Sequence, residues 1–93
     1  MTKQEMIENL KEKGFAHIYE WTDGPGVEYP EHVHKGKVCF YVASGSISMN
    51  ISGVDTVVQA GEYIDVPVGA PHTAKVGTNG CTFIVGEEIE GDS

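Results

Sequence analysis

Three histidines stand where their side chains could bind one metal ion. His32 and His34 are two residues apart, and on a β-strand such side chains lie on the same face, about 6–7 Å apart along it. His72 follows a Pro-Val-Gly-Ala-Pro loop, residues 67–71, which would begin the next strand at a fixed place. Three neutral imidazoles with open coordination positions are typical of a catalytic metal site. A His-x-His pair is also a common surface feature, so its spacing alone does not decide between the two.

Short apolar runs separated by turn residues surround these histidines. The 12 glycines lie between the runs rather than in one block, a pattern typical of a β-sandwich or barrel. The predicted strands are residues 15–21, 38–44, 47–51, 56–59, 63–66, 72–76 and 81–85. Turn signals fall at residues 23–26, 45, 52–53 and 78–80. Because no helical pattern separates the strands, a βαβ architecture is excluded.

One helix is predicted, over residues 2–13. Thr2 and Glu5 have the spacing of a capping box, in which each side chain satisfies a free backbone N–H. Apolar residues recur on one face, at Met6, Ile7 and Leu10. Gly14 can end the helix. We expect the apolar face to pack on the barrel or on a second subunit.

The histidines and several glycines together resemble the two motifs of the cupin family. The first motif is matched by Gly26, His32, His34 and Gly45, and the second by Gly61, Pro67, Gly69 and His72. The resemblance covers residues 26–76. It implies an all-β cupin fold, a double-stranded β-helix or small jelly-roll barrel, here with a short N-terminal helix. The expected organisation is a helical arm at residues 1–14, a barrel at 15–86 and an acidic tail at 87–93.

Two positions depart from the family pattern. The glutamate ligand of the first motif falls at Val38, and the final asparagine of the second at Val76. The site therefore resembles the three-histidine variant of some cupin dioxygenases, with His32, His34 and His72 as ligands. By alternation, apolar residues should line the pocket, namely Val38, Phe40, Val42 and Val76. Met49 and Ile51 are expected to face the same interior.

A divalent ion held by three neutral ligands keeps its +2 charge and should favour an anionic ligand. Iron, zinc, nickel and copper all suit imidazole ligands. The first functional hypothesis is therefore a metalloenzyme that acts on a small molecule, in the manner of a dioxygenase. The alternative is a non-catalytic module that binds or senses a small molecule. No general base stands out in the sequence, so no catalytic residue is assigned.

Other polar residues near the motifs receive structural interpretations. Glu28 or Glu31 could replace the missing carboxylate, but a solvated loop charge beside Pro30 is the favoured reading. His17 alternates with Phe15, Tyr19 and Trp21, which favours a packed or interface histidine over a fourth polar group in the cavity. Cys39 and Cys81 are expected to be buried free thiols.

Composition excludes several classes of partner. The formal net charge is −8 with only six lysines and arginines, which argues against nucleic acid and anionic membranes. The first nine residues lack the apolar core of a signal peptide, and no apolar run reaches the length that spans a bilayer. We therefore expect a soluble cytoplasmic protein. Its small core and the family resemblance together favour a homodimer.

Overall fold

The computed structural model describes residues 1–88 and contains one helix and six strands in that range. These are α1 (Lys3–Glu12), β1 (His17–Asp23), β2 (Glu28–His32), β3 (Val38–Ile51), β4 (Val54–Gln59), β5 (Tyr63–Val66) and β6 (His72–Glu87). The predicted all-β fold with one short N-terminal helix is confirmed. Within this range, no helix has both the length and the apolar character needed to cross a membrane.

The N-terminal helix begins and ends as predicted. The Thr2 hydroxyl accepts from the backbone N–H of Glu5, and the Glu5 carboxylate accepts from the backbone N–H of Thr2. Gly14 follows the C-cap with a φ of 95°, a conformation that glycine adopts without steric cost. The apolar face covers the barrel of the same chain, where two side chains, Met6 and Leu10, are buried against Cys39, Tyr41 and Ile84.

Strand β6 has three strand partners, because it pairs antiparallel with β1, β2 and β3. Strand β3 in turn pairs with β4 and β5, also antiparallel. The hairpin between β3 and β4 turns at Ser52 and Gly53, whose φ angles are 51° and 89°, as a two-residue primed turn requires. The main core is formed by buried residues of β3, β4, β5 and β6.

Two predicted turns are absent, because β3 and β6 are each one long strand. Gly45 was expected to turn the chain, and residues 78–80 to form a hairpin. Instead, residues 77–80 lie opposite Ser46 as an irregularity in the ladder. Gly45 has a φ of 77°, and a Cβ there would lie 2.0 Å from the carbonyl oxygen of Gly80. Gly45 therefore allows β3 and β6 to approach closely where they bend. A glycine in the sequence does not by itself distinguish such a bend from a tight turn.

The other strand boundaries differ less. β1 begins at His17 rather than at residue 15, because Phe15 packs with the helix. β2 was not among the predicted strands. Glu87 ends β6 rather than beginning a tail, and residues 89–93 of the predicted acidic tail lie outside the described range. Both cysteines are buried free thiols, as expected.

Candidate metal centre

Two neighbouring strands and a loop position the three histidines. His32 ends β2, His72 begins β6, and the two residues are directly paired in the sheet. The register between β2 and β6 shifts after Tyr29, at the position of Pro30, which has no N–H to give to the ladder. This shift sets the direction of the His32 side chain relative to His72.

His34 lies two residues beyond the end of β2, so it does not share a strand face with His32 as the spacing predicted. Backbone hydrogen bonds hold its loop instead. The His34 carbonyl accepts from the N–H of Gly69 at 3.1 Å, and the Lys37 carbonyl accepts from the N–H of Glu88 at 2.8 Å. Gly36 lies so close to Glu88, the residue that follows β6, that a Cβ would be 2.1 Å from its carbonyl oxygen. The loop is therefore fixed against both the Pro67–Pro71 segment and the end of β6.

The three imidazole rings converge on one point. Their centroids are 4.1 Å apart for His32 and His72, 4.9 Å for His34 and His72, and 5.0 Å for His32 and His34. One nitrogen from each ring can be chosen so that all three lie within 4.8 Å of one another. Three nitrogens at about 2.0–2.1 Å from one ion would be somewhat closer together than this, so small side-chain rotations bring them to ligand distance.

Hydrogen bonds fix the tautomer of two of the rings, so that one nitrogen of each can bind a metal. Nδ1 of His32 is 2.8 Å from the Pro30 carbonyl oxygen, and Nδ1 of His72 is 3.0 Å from that of Ala70. A carbonyl oxygen can only accept, so Nδ1 carries the proton in each ring and Nε2 has a free lone pair. The Nε2 atom of His72 is buried without a hydrogen-bond partner, in a residue that is 2% exposed. A buried polar atom in this state is costly, and a metal ion would satisfy it.

Electrostatics also favour the ligating form of His34. Burial, reinforced by the neighbouring His72 and His32, lowers the pKa of His34 below its ordinary value. The neutral imidazole, which has a lone pair for a metal, therefore predominates at neutral pH. The donor set of three neutral nitrogens fits a divalent metal ion of the kind that imidazole prefers.

The histidines open into a mainly apolar cavity of about 550 Å³. Its wall is formed by His17, Tyr19, Trp21, Tyr29, His32, His34, Phe40, Ile47, Met49, His72, Ala74, Phe83, Val85 and Glu87. A cavity of this size is within the range that holds a small molecule.

Only one of the four predicted pocket residues lies on this wall. Phe40 lines the cavity, whereas Val38, Val42 and Val76 are buried in the core beside it, each no more than 3% exposed. Alternation identified their inward-facing side correctly. It could not show that these valines would be packed in the core rather than open to the cavity.

His17 lies on the cavity wall, contrary to the packed position that was favoured. Its ring neighbours that of Tyr19, with centroids 5.5 Å apart. Glu28 and Glu31 are exposed and do not line the cavity, in agreement with the interpretation as solvated charges.

Sequence reasoning missed four functional candidates on the wall, namely Tyr19, Trp21, Tyr29 and Glu87. The Asp23 carboxylate accepts from Nε1 of Trp21 at 3.0 Å and from the hydroxyl of Tyr29. Burial and the Asp23 hydrogen bond raise the pKa of Tyr29 to about 12. The alternation of aromatic residues in β1 was the available signal for two of these residues. Glu87 had no signal, because it was assigned to the tail.

Comparisons with known proteins agree with this architecture. An RmlC-like cupin from Shewanella frigidimarina is 27% identical over 81% of this chain and 68% of its own, with a TM-score of 0.68. The DMSP lyase DddQ from Ruegeria pomeroyi is 18% identical over 82% of this chain and 39% of its own, with a TM-score of 0.72. Oxalate decarboxylase from Bacillus subtilis, described with Mn(II) centres, is 23% identical over 82% of this chain and 22% of its own, with a TM-score of 0.69.

The two enzymes are similar in fold alone, and this chain spans less than half of each. No curated protein sequence matches the chain. The family model described as Cupin domain matches residues 19–85, which contain all six strands except the ends of β1 and β6. The chain therefore belongs to the cupin family.

Proposed function

We propose that His32, His34 and His72 bind one divalent metal ion. The observation that carries this proposal is the buried, unpartnered Nε2 of His72, which belongs to a ring whose Nδ1 is committed to a carbonyl. One nitrogen from each of the three rings can be chosen so that all lie within 4.8 Å of one another. Iron, zinc, nickel and copper are the candidate metals, because all of them accept imidazole ligands.

The proposed activity is that of a small-molecule metalloenzyme with dioxygenase-like use of its metal. A divalent ion in this position would supply Lewis acidity, and with iron or copper also redox chemistry, toward a ligand with an anionic oxygen. The protein contributes the apolar wall, on which Phe40 and Phe83 contact each other with ring centroids 6.0 Å apart. Such walls exclude water and strengthen electrostatic interactions at the metal. That similar folds include a lyase and a decarboxylase supports an enzymatic use of the cavity.

Elemental analysis of the purified protein tests metal binding. The parent protein should hold about one metal ion per chain, whereas a variant with His32, His34 and His72 all changed to alanine should hold none. His17→Ala is the matched control, because His17 lines the same cavity but is outside the three-histidine cluster. Metal-free parent protein, even after incubation with ferrous, zinc, nickel and copper ions, would contradict the proposal.

The aromatic content of the wall favours a second candidate, a non-catalytic module that binds a small molecule. Trp21 and Tyr29, held by Asp23, offer stacking surfaces that need no metal. Oxygen consumption by the iron-loaded protein would support the enzyme. Ligand-dependent thermal stabilisation of the metal-free or zinc form, without turnover, would support the module.

A homodimer and a cytoplasmic location complete the proposal. Exposed apolar side chains on the barrel, namely Trp21, Val33 and Val57, are each more than half exposed, and burial in a dimer would remove them from water. Light scattering coupled to size-exclusion chromatography would test this state. A mass of one chain at micromolar concentration would contradict it.

A further inference from the structure

The three histidines line a cavity together with one carboxylate. Among the residues that the structure describes, that carboxylate is Glu87. It ends β6, where it is paired with His17 of β1 on one side and with Val38 of β3 on the other. Directly opposed residues of an antiparallel pair project their side chains to the same face. Val38 is buried in the main core, so the Glu87 side chain also projects to the inside of the barrel.

One hydrogen bond orients this carboxylate. The Tyr19 hydroxyl donates to Oε1 of Glu87 at 2.6 Å. Burial and the neighbouring Glu87 raise the pKa of Tyr19, so the hydroxyl remains a donor at all ordinary pH values. A carboxylate offers about four acceptor positions, and Tyr19 occupies one of them. Glu87 is therefore held in place while it can still accept a proton or a hydrogen bond from a ligand in the cavity.

Glu87 also lies within electrostatic reach of the histidines. Its charge acts to raise the pKa of His34, against the larger opposite effects of burial and the other two histidines. The oxygens of Glu87 do not belong to the cluster of histidine nitrogens that lie within 4.8 Å of one another. Glu87 thus lines the same cavity as the three histidines without belonging to their cluster.

The histidines themselves cannot take a proton from a ligand. Nδ1 of His32 and of His72 already carries a proton that is donated to a carbonyl, and Nε2 of each ring is a metal ligand in the proposed function. Neutral His34 uses one nitrogen as a ligand and carries its proton on the other. A neutral hydroxyl compound that binds as an anion must lose its proton to some acceptor. Apart from the three ligands, the wall offers two side chains that can accept a proton, His17 and Glu87. Glu87 is the one that a hydrogen bond from Tyr19 orients and whose charge reaches His34.

We propose, on the basis of the metal-binding function above, that Glu87 accepts the proton of a hydroxyl-bearing small molecule seated at the histidines. The O–H bond of the ligand breaks, the proton moves to a Glu87 oxygen, and the electron pair stays on the ligand oxygen. That oxygen becomes an anion, which a divalent ion held by the histidines would stabilise, and no electrons are exchanged with an oxidant. The ligand class is an apolar or aromatic molecule with an acidic hydroxyl, such as an enol, a phenol or a hydroxamic acid.

Two probes that differ in their proton content test this assignment. Acetohydroxamic acid must lose a proton to bind a metal as an anion, whereas azide is already an anion at neutral pH. Parent protein, Glu87→Gln and the control Glu28→Gln are loaded with Co(II), whose visible spectrum reports the binding of either probe. Glu28 is exposed and outside the cavity, so its substitution removes the same charge without touching the wall. Competition with a chelator measures the Co(II) affinity of each protein separately.

Glu87→Gln should weaken acetohydroxamic acid binding by about tenfold or more, the effect of losing one charged hydrogen-bond partner. Its azide affinity should be unchanged or tighter, because a negative charge has been removed, and its Co(II) affinity should stay within about threefold of the parent. Glu28→Gln should match the parent in all three measurements. This combination of results supports the proposal.

Four results would overturn it. Equal weakening of both probes would show a general effect on the cavity, and unchanged acetohydroxamic acid binding would show that Glu87 accepts no proton. Loss of Co(II) affinity in Glu87→Gln alone would make Glu87 a metal ligand instead. Failure of the parent protein itself to bind Co(II) would refute the metal site, and with it the role of Glu87 that depends on that site.

Discussion

Replacing His72 with leucine should affect the metal-free and metal-bound protein in opposite directions. Leucine has a similar volume and no polar atoms, so it removes the buried Nε2 that has no partner. An unsatisfied buried polar group costs about 1–3 kcal/mol, while the lost hydrogen bond from Nδ1 to Ala70 contributed about 1 kcal/mol. Without metal, His72→Leu should therefore range from equally stable to about 2 kcal/mol more stable than the parent.

Metal reverses this order. A ligand present at about a thousand times its dissociation constant stabilises the folded state by about 4 kcal/mol. The parent should gain this amount, and His72→Leu should gain almost none because its ligand set is incomplete. For a domain of this size, about 1 kcal/mol corresponds to a shift of about 4–8 °C in Tm, so the exchange in rank is readily measured.

Urea unfolding with and without metal is the assay. Trp21 is the single tryptophan, and its fluorescence, together with circular dichroism, follows unfolding in EDTA and in excess zinc. His32→Leu is the matched control, because it removes a ligand from a residue that is not fully buried and whose Nε2 can bond water. It should lose the metal effect without any gain in EDTA.

Two results would refute the reasoning. If His72→Leu is more than about 1 kcal/mol less stable than the parent in EDTA, the Nε2 atom is not a cost to the folded protein. If zinc stabilises His72→Leu as much as the parent, His72 is not a ligand.

Three further predictions concern the surroundings of the site. Gly53→Ala should lower the free energy of unfolding by about 1 kcal/mol, because of its positive φ alone. Gly45→Ala should lower it by about 2 kcal/mol more, because a carbonyl of the opposite strand is so close. Urea unfolding measures both values, and equal losses would contradict the close approach. Burial raises the pKa of Cys39 to about 12 and that of Cys81 to about 11, and because thiolate is the reactive form, neither thiol should react with a disulfide reagent at mildly alkaline pH until urea unfolds the chain. Reaction of the folded protein would show that a thiol is accessible. Asp23→Asn should free the side chains of Trp21 and Tyr29, which donate to this carboxylate. Tryptophan fluorescence and anisotropy should change, with little change in metal affinity. An unchanged anisotropy would indicate that packing alone holds these side chains.

The sequence contained enough local information for the helix, the β5 strand and the order of most strands. Capping at Thr2 and the alternation of β-branched residues are local properties, and the structure follows them. Gly45 was misread because a positive φ serves a tight turn and a bent strand equally well. What distinguishes the two is a contact with Gly80, which is distant in sequence.

The site was predictable only in part for the same reason. The residue types and spacing of the three histidines were sufficient to predict that they form one cluster. The backbone that positions His34 differs from the prediction, because His34 lies in a loop rather than on a strand. Val38 lies in the buried core, yet the cavity wall also includes residues of β1 and the end of β6 that the alternation in β3 does not reveal. Glu87 reaches that wall through pairing with His17, a register that no local pattern determines.

The pairing of β6 has a consequence for the order in which the chain folds. Within residues 1–88, β1 and β2 pair with β6 and with no other strand, whereas β3 can already pair with β4 and β5. During synthesis the first two strands therefore gain a partner only once β6 (His72–Glu87) has been made. Such long-range pairing is typical of slow folding. His32 acquires its position beside His72 in the step that closes the barrel, so metal binding should report complete folding rather than assist its early stages.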